Sequence, residues 1–119
     1  MELLAVCHES RAEAVFLRAE GDVDSSTVDE LVEQLTAALQ QAVTHPARLL
    51  IVDLQPVTFF GSAGLNALLD CHERGRATGT WVRLVADHAE VMQPIEVTEL
   101  DRILDVYPTV TDALQARTG

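Results

Sequence analysis

Residues 48–69 read RLLIVDLQPVTFFGSAGLNALL. Leu49, Leu50, Ile51 and Val52 form a continuous apolar run closed by Asp53, the pattern of a strand covered on both faces. A short connection through Pro56, Val57, Thr58, Phe59 and Phe60 leads to a serine flanked by Gly61 and Gly64. A helix is expected from Ser62 to about Ala77, with Leu65, Leu68, Leu69 and His72 on one face; Gly75 weakens its last turn and Gly79 marks its exit. The hydroxyl of Ser62 is thereby placed at a helix N-terminus, where free backbone N–H groups and the positive end of the dipole favour an added anionic group. A phosphate there would change the local charge sharply without unfolding its surroundings. Ser62 also has a purely structural reading, as a favoured N-cap in a tight strand-to-helix turn.

Towards the N-terminus, residues 3–7 and 14–19 are apolar enough for two strands, joined by the polar residues 8–13 as a hairpin connection. Gly21, Asp22, Val23, Asp24, Ser25 and Ser26 read as a turn before a helix, with Thr27/Glu30 or Ser26/Asp29 as a capping box. Val28, Leu31, Val32, Leu35, Ala38, Leu39 and Ala42 recur on one helical face, and Thr44, His45 and Pro46 end it. Beyond the serine helix, residues 81–85 read as a strand. A third helix starts at Asp87 or His88 and should kink or stop at Pro94. Residues 103–106 form a weak strand, and Thr109 with Asp112 caps a last helix. Strands alternating with helices imply a parallel core with an antiparallel hairpin at one side. The expected fold is an α/β sandwich, with a mixed sheet of four to five strands and about four helices, in a single domain over residues 1–119.

The chain carries 19 acids against 8 bases, a formal net charge of −11. That excludes the basic footprint of a nucleic-acid binder and argues against an anionic membrane surface, while steering a basic protein partner inwards. No signal, membrane span or lipidation motif is read, so a cytoplasmic protein is expected. Cys7 and Cys71 are expected as two buried, reduced thiols, and the four histidines lack metal spacing. Asp22 and Asp24 fit a solvated turn better than a cation site. The serine turn resembles a hydrolase nucleophile elbow but has Phe60 where the first glycine belongs, and the only histidines after it are His72, on the same helix, and His88. With no P-loop, dinucleotide fingerprint or paired catalytic carboxylates, neither an enzyme nor a cofactor is expected.

In order and spacing, several pieces together resemble the STAS domain of bacterial anti-sigma factor antagonists, over almost the whole chain. They are Gly21-Asp22-Val23-Asp24, Ile51-Val52-Asp53-Leu54, Val57-Thr58-Phe59 followed by Phe60-Gly61-Ser62-Ala63-Gly64-Leu65, and the closing Leu100–Leu104, Val106–Thr109 and Asp112–Leu114. The resemblance implies a STAS-like sandwich. It further implies an antagonist that binds an anti-sigma factor with serine kinase activity, frees the sigma factor, and is switched off when Ser62 is phosphorylated. The implied docking surface comprises Asp22, Asp24, Ser25, Gly61, Ser62, Ala63, Gly64 and Asn66. Three positions depart from the family pattern: Gly61 replaces the signature's acid, Ala63 its second serine, and Glu99 a glycine after the third helix. The loss of the acid leaves a second reading open, a non-phosphorylated scaffold or sensor subunit of a stress-signalling or lipid-transport assembly. A nucleotide-binding version finds no phosphate-binding glycine loop.

Overall fold

In the computed structural model, which describes residues 3–116, the elements follow in the order β1 (Ala5–Ser10), β2 (Val15–Val23), α1 (Val28–Thr44), β3 (Leu49–Asp53), β4 (Val57–Phe60), α2 (Ser62–Ala77), β5 (Trp81–Val85), α3 (Ala89–Val97), a 3-10 turn (Leu100–Arg102), β6 (Asp105–Tyr107) and α4 (Val110–Gln115). Residues 1, 2 and 117–119, the two ends of the expected single domain, lie outside the described residues. The sheet runs β1-β2-β3-β5-β6, with β1 antiparallel to β2 and the other neighbours parallel. The expected five strands form this path, and β4 adds a sixth beside β2.

Strand alternation divides β3 between two cores. Leu50 and Val52 join Leu17, Leu31, Leu35, Leu65, Leu68 and Ile95 under α1, α2 and α3. Leu49 and Ile51 face the opposite side with Val85 and Ala113, beneath the short α4. This is why the run carries no polar position: both faces are dry. The three leucines of α1 are each worth about 1.5–3 kcal/mol of apolar burial, and Leu31, Leu35 and Leu39 are all buried. Val32, assigned to the same face from its spacing, is 42% exposed at the edge of the stripe.

The turn expected at 21–26 begins later. Gly21, Asp22 and Val23 are the end of β2, where the long strand exchanges one partner for another: Val15–Arg18 pair with β3, and Gly21–Val23 pair with β4. The register shifts between Gly21 and Asp22. Gly21 has φ +110°, and a Cβ there would lie 2.4 Å from the carbonyl oxygen of Leu3, so only glycine fits this bulge. The capping boxes expected for α1 do not form; Thr27 occupies the N-cap position without a side-chain bond to the helix.

Three other expectations shift. β1 and the hairpin connection move, because residues 8–10 belong to the strand and Arg11 N–H bonds Ala14 O to close the turn. The last strand begins at Asp105, after the 3-10 turn. α3 continues through Pro94 to Val97, since a proline in so short a helix removes one bond and Thr98 N–H still reaches Pro94 O at 3.3 Å. At the following corner Glu99 takes the left-handed conformation itself, φ 59° and ψ 20°. The cap predicted for α4 is present: Asp112 N–H donates to Thr109 Oγ1 at 3.0 Å.

Candidate functional site

The parallel pairing of β2 with β4 fixes the geometry around Ser62. Val23 stands opposite Phe60, and Gly61 N–H donates to Val23 O at 3.0 Å. The chain therefore leaves both strands at the same end of the sheet: Asp24 opens one loop as Gly61 opens α2. Gly61, extended at φ −95° and ψ −176°, is the N-cap, and Ser62 is the first helical residue. Ser62 is thus not the cap that its residue type suggested. Its side chain is exposed, and the first bonds accepted by the turn, Gly64 N–H and Leu65 N–H to Gly61 O, leave the amides of Ser62 and Ala63 among the helix's orphan donors.

Of the eight residues expected to form a docking surface, Ser25, Ser62 and Asn66 are exposed, while Asp22, Asp24, Gly61 and Ala63 are partly exposed. Gly64 is buried, and a Cβ there would lie 2.7 Å from Phe60 Cε1 and 2.8 Å from Val23 Cγ1. It seats α2 on the sheet and offers no surface. Asp24 folds its carboxylate back onto its own loop, accepting from Ser26 Oγ at 2.6 Å, Ser26 N–H at 2.8 Å and Thr27 N–H at 3.1 Å. These bonds, led by the Ser26 hydroxyl, hold its pKa below the usual carboxylate value. Asp22 accepts from Thr58 Oγ1 at 2.7 Å, which occupies the only other hydroxyl on the approach to the helix. Asp22 also supplies the carbonyl for Thr27 Oγ1, which in turn accepts from Asp24 N–H.

Phe59 completes the surface and was not among the expected site residues. It is 52% exposed, and its Cε2 lies 3.3 Å from where a Gly61 Cβ would stand. The signal was in the sequence, because two adjacent phenylalanines in an extended segment cannot share a face. Phe60 takes the core and Phe59 the solvent. On the other side of β4, the carbonyl of Val57 is held by His88 Nε2–H at 2.7 Å.

Among the described residues no group of three His, Cys, Asp or Glu side chains is placed to hold a metal, and no helix is long and apolar enough to cross a membrane. Cys71 is buried, and desolvation pushes its thiol up to about 12; Cys7, expected to be buried as well, is exposed on β1.

The model of the STAS domain matches residues 7–113. The chain belongs to the STAS domain family. A Mycobacterium tuberculosis STAS relative named as the anti-anti-sigma factor Rv2638 is 36% identical over 101 residues, 85% of this chain and 67% of that protein. The anti-sigma-F factor antagonist RsfA of the same organism is 31% identical over 103 residues, 87% of this chain and 79% of its own. The crystal structure of an anti-sigma factor antagonist from Mycobacterium paratuberculosis matches with a TM-score of 0.82 and 28% identity, covering 93% of this chain and 91% of that one. The mixed sheet and four helices are those of a STAS domain.

Proposed function

We propose that this chain is an anti-sigma factor antagonist, a non-catalytic cytoplasmic regulator acting as a single STAS domain. It binds an anti-sigma factor that is also a serine kinase, and phosphorylation of Ser62 switches the binding off. The observation that carries this reading is the position of the Ser62 hydroxyl: exposed, in the first turn of α2, and beside the Asp24 loop at one end of the sheet. The names of the mycobacterial relatives support the same partner class. Phe59 supplies an aromatic anchor next to the acceptor.

A phosphate on Ser62 adds about −1.5 to −2 charges. The orphan amides of α2 stabilise it in the free protein. In the complex it would have to be desolvated within the docking face, in a loop cluster that already holds Asp22 and Asp24, and it would clash with any acidic group of the partner, so binding falls. Ser62→Asp, measured against the cognate anti-sigma factor by calorimetry, is expected to weaken binding by about tenfold or more. Unchanged affinity would favour the second reading, a constitutive scaffold or sensor subunit, to which Gly61 in place of the family's acid gives some weight.

A further inference from the structure

At the far end of α2, roughly 20 Å along the helix from Ser62, lies a cleft of about 570 Å³. Its walls include His72 and Arg76 from α2, Trp81 from β5, Arg102 and Ile103 at the 3-10 turn, and Asp105 from β6. In a chain of net charge −11, this cleft sets two guanidinium groups and an imidazole against a single carboxylate, whereas the similar set His8, Arg11 and Arg18 near β1 is offset by both Glu9 and Asp53. Among the described residues Arg76 enters no ion pair. Among the described residues Arg102 pairs with Glu99 alone, at 3.4 Å with both side chains mostly in solvent, a pair that is readily exchanged. The cleft also exposes apolar surface that the core does not claim: Trp81 is 43% exposed and Ile103 48%. The guanidinium of the buried Arg83 lies 5.9 Å from the centre of the indole, on the α4 face of the sheet, so the cleft passes round the edge of β5 that β6 leaves open, from Trp81 to the α2 side chains His72 and Arg76.

A volume within the range of small-molecule sites, a half-exposed indole and two guanidinium groups along the same cleft together specify a ligand class. We propose that this cleft binds a small planar aromatic anion, its ring against Trp81 and Ile103 and its carboxylate or phosphate held by Arg76 and Arg102. His72 adds a further polar contact on the α2 side. Asp105 excludes a second negative group from the β6 side and accepts from a ring N–H or hydroxyl.

Trp81 is the only tryptophan in the chain, so its indole N–H resonance reports on this cleft alone. The full chain is titrated with 2-naphthoate, 2-naphthyl phosphate and the neutral 2-naphthalenemethanol, followed by that resonance and by calorimetry. The expected result is saturable binding of the anions, with the neutral alcohol about tenfold weaker and the tighter anion assigning the head group. Arg76→Gln and Arg102→Gln should each weaken the anions about tenfold. Arg74→Gln removes the same charge from the same helix but on the side facing α1, where Arg74 pairs with Asp70, and should leave affinity unchanged. Absence of a saturable shift, equal affinity for the neutral alcohol, or an equal loss in Arg74→Gln would overturn the proposal.

Discussion

Ser62 and the two glycines around it share one turn, but they do different physical work. Gly64 is a packing residue, because any side chain at 64 meets Phe60 and Val23 below 3 Å. Gly64→Ala is expected to cost about 1–3 kcal/mol of stability, read as a lowered midpoint in urea unfolding. Gly61 is different: its backbone is ordinary extended chain, and a new side chain there displaces only the end of the exposed Phe59 ring. Gly61→Asp should therefore fold, and it places a carboxylate where helix N-caps favour one. Asp24 adds a pH signature at the same scale. Its folded pKa lies below that of an ordinary carboxylate, so its bonds to Ser26 and Thr27 stabilise the fold at neutral pH. That contribution is lost as the pH falls through the folded value. The difference in thermal midpoint between the wild type and Asp24→Ala is expected to be constant near neutrality and to shrink below about pH 4. A difference that grows on acidification would contradict the assignment.

At the scale of elements, what could be read from the sequence depended on how local the deciding force was. α2 and β5 are found at the expected residues because their periodicity and glycine signals are local. The Thr109 cap was legible for the same reason. β4 was not, since four residues after a proline read as a connection until the second half of β2 supplies their partner. The serine turn at the head of α2 was legible as a strand-to-helix turn, and the pairing of β2 with β4 puts it beside the Asp24 loop. The buried role of Gly64 and the outward Phe59 depend on packing that no window of sequence contains. The same holds for Arg83, buried on β5 with Nη1 donating to Ala113 O at 2.8 Å. Its charge in an apolar strand gave no hint that it would hold a carbonyl in the last turn of α4. The corner after α3 shows a sequence departure with a structural consequence. Glu99 carries a left-handed backbone that costs a side-chain-bearing residue roughly 1–2 kcal/mol, at a position where its ion pair with Arg102 is exposed and weak. Glu99→Gly is expected to raise stability by about 0.5–1 kcal/mol after allowing for the entropy of glycine in the unfolded chain. A lower melting temperature for that variant would show that the corner is not strained.

Across the whole molecule, the sheet separates two ends with opposite character. The C-terminal ends of β2 and β4 present Ser62, Phe59 and the acidic loop, while the far end of α2 carries the cationic cleft around Arg76 and Trp81. α2 spans between them, with its buried face fixed against the core by Leu65, Leu68 and Cys71. A modification at one end can thus alter docking while leaving the core that supports both ends intact. Everything proposed for regulation passes through one hydroxyl, and it can be tested without knowing the triggering stress. The protein is incubated with its cognate anti-sigma kinase and ATP, and its intact mass is followed beside that of Ser62→Ala. One added phosphate on the wild type and none on the variant is the predicted result. Phosphate uptake by Ser62→Ala at the wild-type rate, or no uptake by either protein, would contradict the switch.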